Sequence, residues 1–106
     1  MESEYAVVLT TAGSEEEAGA LARSILESKL AACVQVQPIT SYYVWKGENR
    51  DEPEYLLLIK TRHDAYERLE AHIKSRHSYE TPEIVEIPIL SGSPEYLAWI
   101  HDIVVG

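Results

Sequence analysis

The sequence predicts an α+β fold: strand, helix, strand, strand, helix, strand, and a further helix at the end. Three observations carry this reading. Short apolar, β-branched runs alternate with stretches of helical period. The two middle strands follow one another with only a polar reversal between them. Pro38 and Pro88 fall inside strand-like runs, where a sheet edge tolerates a residue without an N–H.

The elements follow in order. Tyr5 to Thr11 (YAVVLTT) is short, apolar and β-branched, and reads as a strand buried on both faces. A helix is predicted from Ser14, which forms a capping box with Glu17, and Glu15 to Glu17 suit the positive end of its dipole. Ala18, Leu21, Ala22, Ile25 and Leu26 make its apolar stripe. Cys33 to Lys46 reads as one strand, roughly 40 Å long at ~3.3 Å per residue. Lys46 to Pro53, with Gly47 and Asn49, reads as a polar reversal, and Glu54 to Thr61 as the returning strand of a long hairpin. His63 to His77 is helical, with Ala65, Leu69 and Ile73 on one stripe and Asp64 or Thr61 as its cap. Ser78 to Pro82 breaks the period. Val85, Ile87 and Ile89 alternate with Glu86 and Pro88 as a fourth strand of edge character. Ser93-Pro94-Glu95 opens a last helix whose apolar side is Tyr96, Leu97, Ile100 and Val104.

This order is the split βαβ of ferredoxin-like folds, βαββαβ with an extra C-terminal helix. The second strand then lies at an edge, in agreement with Pro38. The β2–β3 hairpin is longer than one small sheet covers, and Tyr42, Tyr43, Val44 and Trp45 are too apolar to project into water. A homo-oligomer, with each hairpin docked on a neighbour, resolves this; the alternative is a hairpin curled over its own sheet.

At 106 residues the chain is read as a single domain, residues 1–106. A formal net charge of -9 opposes binding to nucleic acid and to anionic membranes. The acidic start and the short apolar run after it do not resemble a secretion signal, so the compartment is read as cytoplasmic. One cysteine excludes an intrachain disulfide.

Metal chemistry has candidate ligands in Cys33, His63, His72, His77 and His101, but not the familiar zinc spacings. A closed site from one chain is therefore not expected, whereas an oligomer can bring copies of one ligand together. The block RHSYETPEI, Arg76 to Ile84, gathers His77, Tyr79, Glu80 and Glu83 at a helix end. It reads either as a ligand site or as a capped helix end with local hydrogen bonds. Cys33 reads most simply as a small buried residue. An enzyme is not expected: no nucleophile motif, P-loop or dinucleotide fingerprint is present, and Glu15 to Glu17 would repel a phosphate at the first helix.

The segments VLTTA, KLAACV, SYYVWKGE, LLIKT, HSYETPEI and YLAWI, in this order over almost the whole chain, resemble the CutA divalent-cation tolerance family. The resemblance implies a ferredoxin-like protomer in a PII-like homotrimer, with no firm enzymatic activity. It implies a role in tolerance to copper and other divalent cations. Copper ligation in some members is associated with a cysteine where this chain has Thr10, and with a His-His pair where it has Arg76-His77. Threonine is a poor copper ligand and Arg76 is a fixed positive charge, so only His77 of that set remains. The metal candidates are thus His77, Glu80 and Cys33, for Cu(II) or another divalent cation, with no obligatory cofactor. The competing expectation is a PII-like protein binding a small ligand at a subunit cleft, through Trp45, Glu54, Lys60 and Tyr79.

Overall fold

The computed structural model describes residues 3–105. Strand β1 (Tyr5–Ala12) runs up the middle of a four-stranded antiparallel sheet of order β2-β3-β1-β4, with β2 (Cys33–Trp45) and β4 (Ile84–Pro88) at the edges and β3 (Glu48–Arg62) beside β1. Helices α1 (Glu15–Glu27) and α2 (Tyr66–Arg76) form the layer over one face, and α3 (Pro94–Ile103) closes the chain. The expected order of elements and both edge strands are present.

The helix-covered face holds the core. Val8, Leu57 and Ile59 from the sheet pack with Leu21 and Ile25 of α1 and Leu69 and Ile73 of α2. The burial of β1 is one-sided, which corrects the expectation of a strand buried on both faces. Ala6, Val8 and Thr10 are buried, whereas Val7 and Leu9 on the other side are only partly covered. An apolar run looks the same whether its second face meets a helix or another protein.

Local chemistry explains the ends of α1. Ser14 Oγ accepts from Glu17 N–H at 3.1 Å, as a capping residue should. The reciprocal half of the expected box is not made: Glu17 Oε2 accepts instead from Ser78 Oγ at 2.8 Å. At the other end Lys29 takes φ 56°. Its N–H meets Leu26 O and the N–H of Leu30 meets Ile25 O, a Schellman closure that buries Leu30 against the helix.

The hairpin is tighter than the sequence suggests. Lys46 (φ 51°) and Gly47 (φ 79°) alone make the turn, both left-handed as a two-residue hairpin loop demands. Glu48 to Pro53 is strand, paired with Thr40 to Trp45, and not part of a loop. Polar residues suit a ribbon that is wet on both faces. Pro53 is tolerated because the β1 ladder ends at Ala12↔Tyr55, leaving one side of β3 without a neighbouring strand. The ribbon from Ile39↔Glu54 to Trp45↔Glu48 thus projects beyond β1 by roughly 20 Å.

The second helix also starts differently. A 3₁₀ turn, His63–Ala65, leads into α2, and neither Asp64 nor Thr61 caps it. Asp64 pairs with Arg62 at 2.7 Å, and Thr61, fully buried, donates its hydroxyl to Leu30 O at 2.6 Å. Ser93 caps α3 through Tyr96 N–H, with Pro94 in the first turn. Ile100 and Val104 are buried, but Tyr96 of the expected apolar side lies at the surface against Trp99.

Helices α1 and α2 are joined by a polar contact with a pH dependence. Ser24 donates to Leu21 O at 3.0 Å, so His72 Nε2–H donates to Ser24 Oγ at 2.9 Å. Burial, then the Arg76 charge, lowers the His72 pKa from 6.5. As pH falls below about 6.5 the unfolded chain takes up this proton before the folded one does, so stability present above that pH is lost below it. Urea melts from about pH 7.5 to about pH 5.5 are expected to lose less stability in His72→Gln than in wild type. Equal losses in the two proteins would remove His72 from the acid response.

Candidate functional site

The segment between α2 and β4 is fastened to the sheet by His77 and Tyr79. His77 Nδ1 accepts from Tyr79 N–H at 3.0 Å, which leaves Nε2 as the protonated nitrogen, and it donates to Thr11 O at 2.5 Å. The two rings lie 4.7 Å apart, tilted by 57°. Gly13 makes room for this arrangement, since a Cβ there would stand 3.2 Å from Tyr79 Oη.

Tyr79 in turn reaches β3. Its hydroxyl donates to Glu54 Oε2 at 2.8 Å, and Glu54 is only 8% exposed. Burial, then the bond to Glu54, then the nearby charges of Glu54, Glu17 and Glu52 push the Tyr79 phenol far above its ordinary range. Tyr79 is therefore a fixed donor, and Glu54 keeps a partner inside a buried setting.

From this pair a cleft of about 620 Å³ runs from the root of the hairpin toward its tip, walled by Tyr43, Trp45, Glu52, Glu54, Tyr79 and Glu83. The register explains the grouping. Ser41↔Glu52 and Tyr43↔Arg50 are cross-strand pairs, so Tyr43, Trp45, Glu52 and Glu54 all lie on the face away from α1 and α2. Partial burial, then a hydrogen bond to Glu52, raises the Tyr43 pKa. At the rim Lys46 Nζ stands 5.5 Å over the Trp45 ring and 3.6 Å from Glu80. Arg50 is 3.6 Å from both Glu48 and Glu52.

Three of the four cleft residues named from sequence line this cavity, Glu54 and Tyr79 together at its root end and Trp45 toward the hairpin tip. Lys60 does not: it shares Glu54's strand face but lies six residues along β3, roughly 20 Å away, where it donates to Gln35 Oε1 at 2.6 Å. Tyr43 and Glu52 escaped sequence reasoning, whereas Glu83, already grouped with His77, Tyr79 and Glu80, does line the cleft. The strand alternation that joins Tyr43 to Trp45 and Glu52 to Glu54 was available. Using it required knowing that the turn is only Lys46-Gly47.

The metal candidates are not gathered by one chain. Among the described residues no three His, Cys, Asp or Glu side chains come together in a group able to hold a metal ion. His77 has both ring nitrogens engaged, and Glu80 faces Lys46. Cys33 is opposite Lys60, and so far from the His77 end of the sheet. Thr10 is buried toward the helices, its hydroxyl without a partner among the described residues, and Arg76 is exposed beside Ser75. No helix among the described residues is long and apolar enough to cross a membrane.

Residues 6–103 match the family described as CutA1 divalent ion tolerance protein. The divalent-cation tolerance protein CutA of Thermus thermophilus is 45% identical over 97 residues, covering 91% of this chain and 94% of that protein. The chloroplastic CutA of Arabidopsis thaliana is 43% identical over 97 residues, which cover 91% of this chain but 53% of that longer protein. Among solved structures, the periplasmic divalent cation tolerance protein CutA from Archaeoglobus fulgidus superposes with a TM-score of 0.93 at 40% identity, covering 95% of this chain and 99% of that one. CutA1 from Oryza sativa gives a TM-score of 0.94 at 38% identity, covering 98% and 96%. Sequence and fold agree over nearly the whole length, and this chain belongs to the CutA1 divalent ion tolerance protein family.

Proposed function

We propose that this chain serves divalent-cation tolerance as a non-enzymatic homotrimer of PII-like architecture. One observation carries the assembly: the open face of the sheet. Val7, Leu9, Leu56 and Leu58 there are only half-buried, and Val85 and Ile87 are 44% and 47% exposed. Contiguous apolar surface of this kind marks a protein contact. Light scattering of the purified protein is expected to give three times the chain mass, and a monomer would end this reading.

For metal, the same assembly supplies what one chain lacks. We take His77 and Glu80 as one copy's share of a Cu(II) or other divalent-cation site completed by other copies, with Cys33 as a separate candidate. His77 Nδ1 must then release Tyr79 N–H, a cost of about 1 kcal/mol, which copper–imidazole bonding exceeds. Calorimetric titration with Cu(II) is expected to show saturable binding, about tenfold weaker or more in His77→Ala at unchanged trimer mass. Identical isotherms would take His77 out of the site.

A second reading is favoured by the cleft. A cavity of about 620 Å³ with aromatic walls and a buried carboxylate has the size and make-up of a small-ligand site. In this reading the trimer senses or carries a small molecule at the hairpin root.

A further inference from the structure

We propose that the ligand of the cleft is a small organic ammonium cation, seated against Glu54 and enclosed by Tyr43 and Tyr79. The inference rests on the small-ligand reading of this cleft and adds the chemistry of the ligand. The walls decide its sign. Four carboxylates, of Glu52, Glu54, Glu80 and Glu83, face one guanidinium, that of Arg50, which already lies beside Glu48 and Glu52. An anion such as a nucleotide meets repulsion here, in a chain whose whole field is negative.

The carboxylates also decide between a metal ion and an organic cation. They are spread along the cleft, and no three gather in a metal-holding group among the described residues. A metal ion needs oxygen ligands converging at one point. An ammonium on a carbon chain needs one good acceptor and apolar or aromatic walls for the rest. Glu54 is that acceptor. It is 8% exposed, Tyr79 occupies its Oε2, and no described residue donates to its Oε1. A carboxylate held this deep with one oxygen uncommitted is ready for a charge-assisted hydrogen bond.

The chain shows the same recognition at its own rim. The Lys46 ammonium rests between the Trp45 ring, at 5.5 Å, and the Glu80 carboxylate, at 3.6 Å. A primary ammonium here is thus already accepted by one aromatic face and one carboxylate. Further in, Tyr43 and Tyr79 repeat the aromatic component and Glu54 the acidic one, in a more enclosed place where cation–π attraction is stronger.

The test is calorimetry of the intact protein with 1,4-diaminobutane and, separately, choline and ATP, at fixed ionic strength. Saturable binding of 1,4-diaminobutane or choline is expected, about tenfold weaker or more in both Glu54→Gln and Tyr43→Leu. The Gln side chain can still accept from Tyr79, and light scattering and a melt confirm that each variant is intact. Ammonium binding that both variants leave unchanged would overturn the proposal. Binding of ATP, lost in Tyr43→Leu, with no binding of either ammonium would overturn it while sparing the cleft reading. Binding of none of the three would end both.

Discussion

Replacing Leu58 by Lys is expected to give a folded protein with one third of the wild-type mass in light scattering. Leu58 stands on the open face, between Leu9 of β1 and Gln35 of β2. In a single chain it is half-buried, so a lysine there can lay its stem along the sheet and keep its ammonium in water. In the proposed trimer this position is covered, and burying an unpaired charge there costs several kcal/mol per copy. Symmetry multiplies the effect, because each copy brings the same cation to the contact. Circular dichroism should stay native while the mass falls. A variant that keeps the wild-type trimer mass would show that the contact lies elsewhere.

The open face is also where the sequence was hardest to read. Val7 and Leu9 are as apolar as Val8, so YAVVLTT announces a strand without telling which partner covers each side. Local signals were more decisive. Ser14 and Ser93 stand before helical periods, and both cap through their hydroxyls. Pro38 called for an edge or a bulge, and β2 is an edge. The misreadings arose where a polar residue had two uses. ENRDEP looks like a loop but is a wet strand, and Thr61 looks like a cap but is turned inward to Leu30 O.

The site follows the same division. His77, Tyr79 and Glu80 were visible as a block because they are neighbours in sequence. That Tyr79 bonds Glu54, 25 residues away, is a tertiary fact which only the resemblance to a known family anticipated by grouping the two. Within one chain Lys60 lies apart from Glu54 and Tyr79 for a reason of scale. Residues on one strand face share a direction, but six residues of β-strand separate them by most of the sheet's height. Within one chain Cys33 lies apart from His77 on the same ground.

Leu57, one residue before Leu58, faces the other way, and its truncation is expected to act differently. Leu57 is fully buried on the helix side, opposite Thr10 and Val36, in the cluster with Leu21, Ile25, Leu69 and Ile73. Leu57→Ala should cost about 2–5 kcal/mol, the transfer energy of the lost side chain plus the cavity it leaves between two strands and two helices. For a domain of this size each kcal/mol lowers the melting temperature by roughly 4–8 °C. The two substitutions separate in their dependence on concentration. A defect inside each copy leaves the mass action of assembly intact, so Leu57→Ala should lower the wild-type melting curve by a similar amount at every protein concentration. Leu58→Lys removes the assembly itself, so its melting temperature should cease to rise with concentration while that of Leu57→Ala still does. A Leu57→Ala loss below about 1 kcal/mol would mean that the sheet and helices close over the gap, contrary to the rigid packing of this core. Both outcomes derive from the period of two along β3, which turns one of two adjacent leucines into the core and the other toward the face of the proposed assembly.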